Sequence, residues 1–309
     1  MAQDIQDTSR PRWFPHLKPT TLWSVLISMV ACATSAPGAE VQLNGYTFQL
    51  PDGFTIQLVA KPPLVRYPIC ADFDEQGRLY VAESSGTTDP FETQLEKKPH
   101  WILRLEDSDG DGRFDKRTVF ADQMMMPHGS MWFDGSLYVG APPSIWKLTD
   151  TDGDGVADQR VEWLRGKQIG VCGNGVRGPH LGPDGMIYWC KALSGKETYE
   201  RPGKPPLVTN ADHLFRRRPD GRGLEYVMTG STGNLTEVAF TRGGERFVNS
   251  IQVQQPGTPR VSGIFHVLYG GVYPVNPAFS PRARANWPDT AAGAHRLGRR
   301  VCSRRPDPL

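Results

Sequence analysis

Short apolar runs separated by turns rich in Asp and Gly recur along the chain. Four stretches share one phrase, an apolar run, a turn carrying Asp or Gly, and a second apolar run: residues 73–81 (FDEQGRLYV), 132–139 (WFDGSLYV), 182–189 (GPDGMIYW) and, more loosely, 240–248 (FTRGGERFV). Each reads as a β-hairpin, because such a turn lets two short strands fold back on one another. A second phrase lies out of phase with the first. Residues 101–106 (WILRLE) run into DSDGDG, and residues 144–149 (SIWKLT) run into DTDGDG, with Asp107 and Asp150 marking the two turns 43 positions apart. A degenerate third copy is HLFRRR at 213–218, followed by PDG.

Alternating the two phrases gives strand, tight turn, strand, longer loop, strand, polar turn, strand. The spacing matches the roughly 40–50 residues of a four-stranded propeller blade. One such sheet cannot bury both faces alone, so blades stack about an axis with Leu, Ile, Val, Phe and Trp between them. The expected fold is therefore all-β, a β-propeller of about four blades spread over residues 40–275. Closed rings of this kind often carry about six or more blades, so an incomplete ring is expected. No βα alternation with long helices is visible, and the glycines at 173, 175 and 178 do not fit a dinucleotide-binding fingerprint.

Composition narrows this further. The 309 residues include 33 Gly and 27 Pro, with 38% apolar residues, which describes a folded and turn-rich chain. After residue 36 the longest run without Gly or Pro is 113–126, so a longer helix would have to carry a breaker. Thirty-five Lys and Arg against 33 Asp and Glu leave a formal charge of +2, too near neutral for a phosphate-tracking nucleic-acid binder.

Both ends differ from the middle. Residues 21–33 (TLWSVLISMVACA) are uncharged and apolar, follow Arg10, Arg12 and Lys18, and precede TSAPGA. This is the plan of a secretory signal, and the run is too short for a permanent span, which needs about 20 residues. Residues 1–39 are thus expected to be a leader and the mature chain to be periplasmic or extracellular, without a stable transmembrane span. The alternatives are a buried N-terminal helix, or a lipoprotein acylated at Cys32. Cys70, Cys172, Cys190 and Cys302 form no CxxC or haem motif, and Cys172 and Cys190 are expected either to bridge or to remain buried thiols. From about Asn276 the pattern stops, and seven arginines lie among Pro, Ala and Gly with only Asp289 and Asp307 to balance them. Residues 276–309 read as a disordered basic tail, either a natural extension or the product of a lost reading frame near Val275.

The two Asp-rich turns carry candidate metal chemistry. Asp107, Asp109, Asp111 and Asp115 occupy relative positions 1, 3, 5 and 9 with Gly112 at 6, and Asp150, Asp152, Asp154 and Asp158 with Gly155 repeat the arrangement. The spacing matches most of an EF-hand-like calcium loop, but the closing Glu is replaced by Thr118 and Val161. Two readings stand: weak structural calcium sites, or solvated metal-free turns. Arg216, Arg217 and Arg218 read most simply as a solvated strand edge, and Met124, Met125 and Met126 as packing between blades.

PDGF at 51–54, the phrase continuing through Ala82 and Glu83, the DxDGDG turns, and GPDGMIYWCK (182–191) followed by TYERPGKPP (198–206) together resemble the membrane-bound dehydrogenase family of bacterial exported proteins. The propeller of that family is similar to the soluble quinoprotein glucose dehydrogenases, which use pyrroloquinoline quinone and calcium. The resemblance covers about residues 46–273. It implies oxidation of a sugar or polyol with a quinone cofactor. In those dehydrogenases the general base is a histidine eight residues before the glycine of the GPD turn, a position held here by Asn174, whose amide cannot take a proton from a hydroxyl. His128 and His180 are the compensating candidates. Arg177 is the candidate partner of a quinone carboxylate, and Glu83 a candidate for the channel. Each also has an ordinary reading as a polar loop residue. The competing functions are a non-catalytic, calcium-stiffened propeller that binds carbohydrate or protein, and a lactonase-like propeller with a central calcium.

Overall fold

The computed structural model describes residues 39–167, 169, 175–192, 196–230, 234–252 and 261–273; the leader, the basic tail, Asn174 and Cys172 lie outside them. The chain divides into two units, residues 1–57 and 58–309. In the first, β1 (Ala39–Leu43) and β2 (Tyr46–Leu50) pair antiparallel, Val41 opposite Phe48. The connecting Asn44 and Gly45 both take positive φ, which a two-residue hairpin turn needs and which Asn and Gly supply at least cost.

The second unit is nearly all β in a four-blade propeller arrangement. The first blade is β3 (Pro68–Phe73), β4 (Leu79–Glu83), β5 (His100–Glu106) and β6 (Lys116–Met124), in that spatial order, with the helix α1 (Phe91–Lys97) between β4 and β5. The second is β7 (Ser130–Phe133), β8 (Ser136–Ala141), β9 (Ser144–Thr149) and β10 (Gln159–Leu164). The third uses β11 (Val176–Leu181), β12 (Ile187–Lys191), β15 (Asp212–Arg217) and β16 (Glu225–Gly230); a small hairpin, β13 (Glu197–Tyr199) with β14 (Leu207–Thr209), is inserted after β12. The fourth is β17 (Asn234–Phe240), β18 (Arg246–Gln252) and β19 (Val261–Val267), after which β20 (Gly271–Tyr273) returns to pair in parallel with β16.

The repeated phrases coincide in register. Tyr80 stands opposite Arg104, Tyr138 opposite Lys147 and Tyr188 opposite Arg216, each pairing the second strand of a blade with the third. The first strands lie innermost: β3 touches β7, β7 touches β11, and β11 touches β17. Side-chain alternation along each strand then sends successive residues to opposite faces. Leu137 and Val139 pack with Tyr80, Ile102 and Phe120 of the first blade, while Tyr138 between them packs with Ile187, Trp189 and Phe215 of the third. Tyr188 and Cys190 face the other way, onto Leu235, Val238 and Val248 of the fourth. Each fully buried aliphatic or aromatic side chain contributes about 1.5–3 kcal/mol, so these interfaces hold the array together. On the far face of the first blade, Val81, Leu103 and Leu105 are covered by Ala60, Val65 and Phe114 of the chain itself.

One expectation changes. The arginine run is not on an edge: β15 lies between β12 and β16, Arg216 pairs with Asp184 and Glu225, and Arg217 stacks on the Trp163 ring, 4.6 Å from its centroid. Cys190 is a free, buried thiol at the interface of the third and fourth blades. The first blade sheet begins at Pro68. Met124 and Met125 are buried, Met124 within the interface of the first two blades.

Candidate functional site

Antiparallel order fixes which connections share an end of the propeller. The tight hairpin turns and the Asp-rich turns, which join first to second and third to fourth strands, lie at one end. The connections between blades, with α1 and the β13–β14 hairpin, lie at the other, where the inner strands begin. His128 sits in one of these interblade connections, immediately before β7, and its backbone N–H donates to Gly140 O at 2.9 Å. The second blade and β11 approach closely there: a Cβ on Gly129, just before β7, or on Gly140 of β8 would lie 2.5 or 2.2 Å from the Gly178 carbonyl oxygen.

Inner strands converge on Glu237. Its carboxylate Oε2 lies 2.8 Å from His180 Nε2, a close contact without the alignment of a hydrogen bond. Bulges in both strands bring this about: the register of β11 against β12 shifts between Arg177 and His180, and that of β17 against β18 shifts between Leu235 and Glu237. Burial holds the Arg177 guanidinium below its ordinary range, and the nearby Glu237 opposes that fall. On β3, Cys70 accepts a hydrogen bond from Ser130 Oγ at 3.7 Å, and its thiol is pushed up to about 11 by burial, with Glu237 adding to the rise. It is therefore not a thiolate nucleophile.

His128 lies nearer than His180 to the end where the inner strands begin. Burial pushes its imidazole down to about 4, with the charges of Arg177 and His100 in the same direction, and its buried Nδ1 has no hydrogen-bond partner among the described residues. The imidazole is neutral at physiological pH. His100 is also buried, but engaged at both nitrogens: Nδ1 accepts the Ser85 N–H at 3.1 Å, so Nε2–H donates to Gln94 Oε1 at 2.8 Å. Gln94 in turn donates to Asp89 O, which anchors α1 on the first blade.

The remaining sequence candidates separate. Glu83 is 3% exposed and accepts from the Arg66 N–H and from Trp101 Nε1, both at 2.5 Å, with Arg117 3.8 Å away. It binds the first blade to the segment before it. Asn174 lies outside the described residues. At the opposite end of the propeller, the carboxylate oxygens of Asp107, Asp109 and Asp111 lie within 4.8 Å of one another, as do those of Asp150, Asp152 and Asp154. Asp115 and Asp158 instead close their turns, accepting from Ser108 and Thr151. Sequence reasoning missed Glu237 and His100. A second buried polar group, Lys191 with Glu197, Asp212 and His213, underlies the β13–β14 insertion; Lys191 Nζ donates to Ala211 O at 3.1 Å.

A family model described as a domain of unknown function, DUF7133, matches residues 41–296. The chain belongs to the DUF7133 family. The family match continues past Asn276, the point where the strand pattern fades. No curated protein matches this DUF7133 chain in sequence. Similar solved structures include the PQQ-bound aldose sugar dehydrogenase of Streptomyces coelicolor, at 14% identity and a TM-score of 0.46 over 70% of this chain and 63% of that one. A carbohydrate-active enzyme of family AA12 from Trichoderma reesei gives 15%, 0.45, 77% and 60%. The PQQ domain of pyranose dehydrogenase from Coprinopsis cinerea gives 12%, 0.40, 64% and 48%. The chain thus spans between about half and under two thirds of the solved structures it matches.

Proposed function

We propose that this DUF7133 chain is an exported, oxidoreductase-type propeller that acts on a sugar or polyol at the end of the lumen where the inner strands begin, with a quinone as cofactor. The observation that carries this reading is the grouping of a partly desolvated cation, Arg177, with an uncharged imidazole, His128, at the end where the inner strands begin. Arg177 fits one carboxylate of pyrroloquinoline quinone, since an anion beside it offsets the cost of burying its charge. When bound, such a quinone supplies the two-electron acceptor for alcohol oxidation. His128 receives the hydroxyl proton; it stays unprotonated at neutral pH, and its Nδ1 is not engaged by the described residues. Calcium is proposed at the Asp107 and Asp150 turns, where three hard oxygen donors converge. Since these turns lie at the other end of the blades, their role is to stiffen the fold. The pattern of residues 1–39 supports export, and no helix among the described residues is long and apolar enough to cross a membrane.

The test is a titration of the folded chain with pyrroloquinoline quinone at millimolar calcium, followed by absorbance. Saturable uptake is expected, weakened about tenfold or more by Arg177→Ala, as befits loss of a charge-assisted pair. Absence of uptake overturns the quinone reading. A second reading, non-catalytic binding of carbohydrate, is favoured by the fixed, fully engaged position of Glu83, which leaves the channel without that carboxylate. It predicts sugar binding by calorimetry with no reduction of an added redox dye.

A further inference from the structure

Glu237 occupies the position an anionic ligand would take. It reaches His180 at 2.8 Å and faces Arg177, both on β11, yet its own side chain is 56% exposed. It lies on β17, the inner strand of the fourth blade, and among the described residues its charge also acts on the neutral thiols Cys70 on β3 and Cys190 on β12. A carboxylate in contact with an imidazole, close enough to act on a guanidinium, and open to solvent on its other side already supplies negative charge where a ligand's anion would have to sit. It also repels a second anion brought to the same place, an effect that salt screens because the carboxylate is half exposed.

We infer that Glu237 is a built-in competitor beside Arg177 and His180, one that any carboxylate-bearing ligand, the quinone included, must displace and that leaves neutral polyhydroxylated ligands unopposed. The inference deepens the reading above by naming the substrate class and the residue that sets it. A long, half-exposed side chain has room to swing away, so displacement needs no movement of the blades. The neutral sugar has no such competition, because hydroxyl groups can bond to the Glu237 carboxylate as it stands.

The experiment is calorimetry at low salt on the full chain, with glucose as the neutral probe and gluconate and sulfate as anionic ones. For Glu237→Gln, which keeps the shape and removes the charge, gluconate is expected to bind about tenfold or more tightly, the size of change that one charge-assisted pair controls. Glucose affinity is expected to stay within about threefold, a change typical of an altered neutral hydrogen bond. Glu237→Ala serves if the glutamine bonds to His180, and should give the same gain. Adding Arg177→Ala to either variant should abolish it. Unchanged or weaker anion binding in both single variants overturns the inference, as does a gain that survives removal of Arg177. These probes do not require the quinone. Failure of quinone uptake with the anion gain intact removes only the oxidoreductase reading, and the reverse result removes only the competitor.

Discussion

Arg104 reaches from the first blade to the second: its Nη1 lies 3.4 Å from Asp150 Oδ2, and its Nη2 bonds Glu106 at 3.0 Å. The guanidinium lies so close beneath the second Asp-rich turn that a Cβ on Gly155 would overlap it. The Asp107 turn has no corresponding ion pair among the described residues. Two turns nearly identical in sequence are therefore unlike in charge, one carrying a resident cation and the other not.

Calcium should accordingly prefer the first turn. Calorimetric titration is expected to give a tighter site removed by Asp107→Asn and a weaker one, on the Asp150 turn, that strengthens about tenfold in Arg104→Ala, since one neighbouring unit charge is removed. Equal affinity of both turns before and after Arg104→Ala would contradict this.

Gly140→Ala should be strongly destabilising. The added methyl meets the Gly178 carbonyl oxygen at 2.2 Å, and backbone on backbone offers no rotamer to escape. A loss of about 2–4 kcal/mol is expected from denaturant unfolding, in the range for overpacking with backbone displacement. Gly135→Ala, where nothing lies within 4 Å, should cost less and only through its positive φ of 69°.

Stability should fall on mild acidification. His213 donates Nδ1–H to Met228 O at 3.1 Å and accepts from Thr209 Oγ1 at Nε2, 2.7 Å away; burial pushes it down to about 3. His128 is held at about 4, against 6.5 in the unfolded chain. Between these values the unfolded state binds more protons, so stability is complete above pH 6.5 and is lost as pH drops, by about 1.4 kcal/mol per pH unit for each histidine. Urea midpoints from pH 7 to 5 will show the slope, and His128→Gln should make it shallower.

Glu83→Ala should cost about 2–4 kcal/mol of stability, because it leaves the Arg66 amide and the Trp101 indole N–H without their acceptor. Ligand affinity of the folded fraction should be unchanged. An altered quinone or sugar affinity would return Glu83 to the site.

Much of the fold was legible because its determinants are local. The turn residues Asp134 and Gly135, with φ of 50° and 69°, announce their hairpin within two positions, and Tyr80, Tyr138 and Tyr188 mark the same place in three blades. The seven-residue α1 also had local signals, Pro90 before it, Glu92 in the first turn and Lys97 in the last, but it is too short for periodicity to reveal. Glu237 was not legible. It lies in the strand leading into the loosest of the four phrases, and its meaning comes from the stacking of one blade on another, which places it beside His180. The arginine run misled because alternation cannot tell an edge strand from one with neighbours on both sides. Ion pairs and ring stacking made Arg216 and Arg217 compatible with an inner position.

The alternation of Leu137, Tyr138 and Val139 between two neighbours has a mechanical result. A middle blade is keyed into both flanks through a single strand, so loosening it strips the lining from each side at once. Damage at the centre of such an array cannot stay where it starts, whereas the fourth blade, keyed among the described residues to the third alone and tied back to it by β20, can loosen with less effect on the first two. Limited proteolysis of the native protein should consequently trim fragments from that flank and leave the interior intact until the whole assembly gives way.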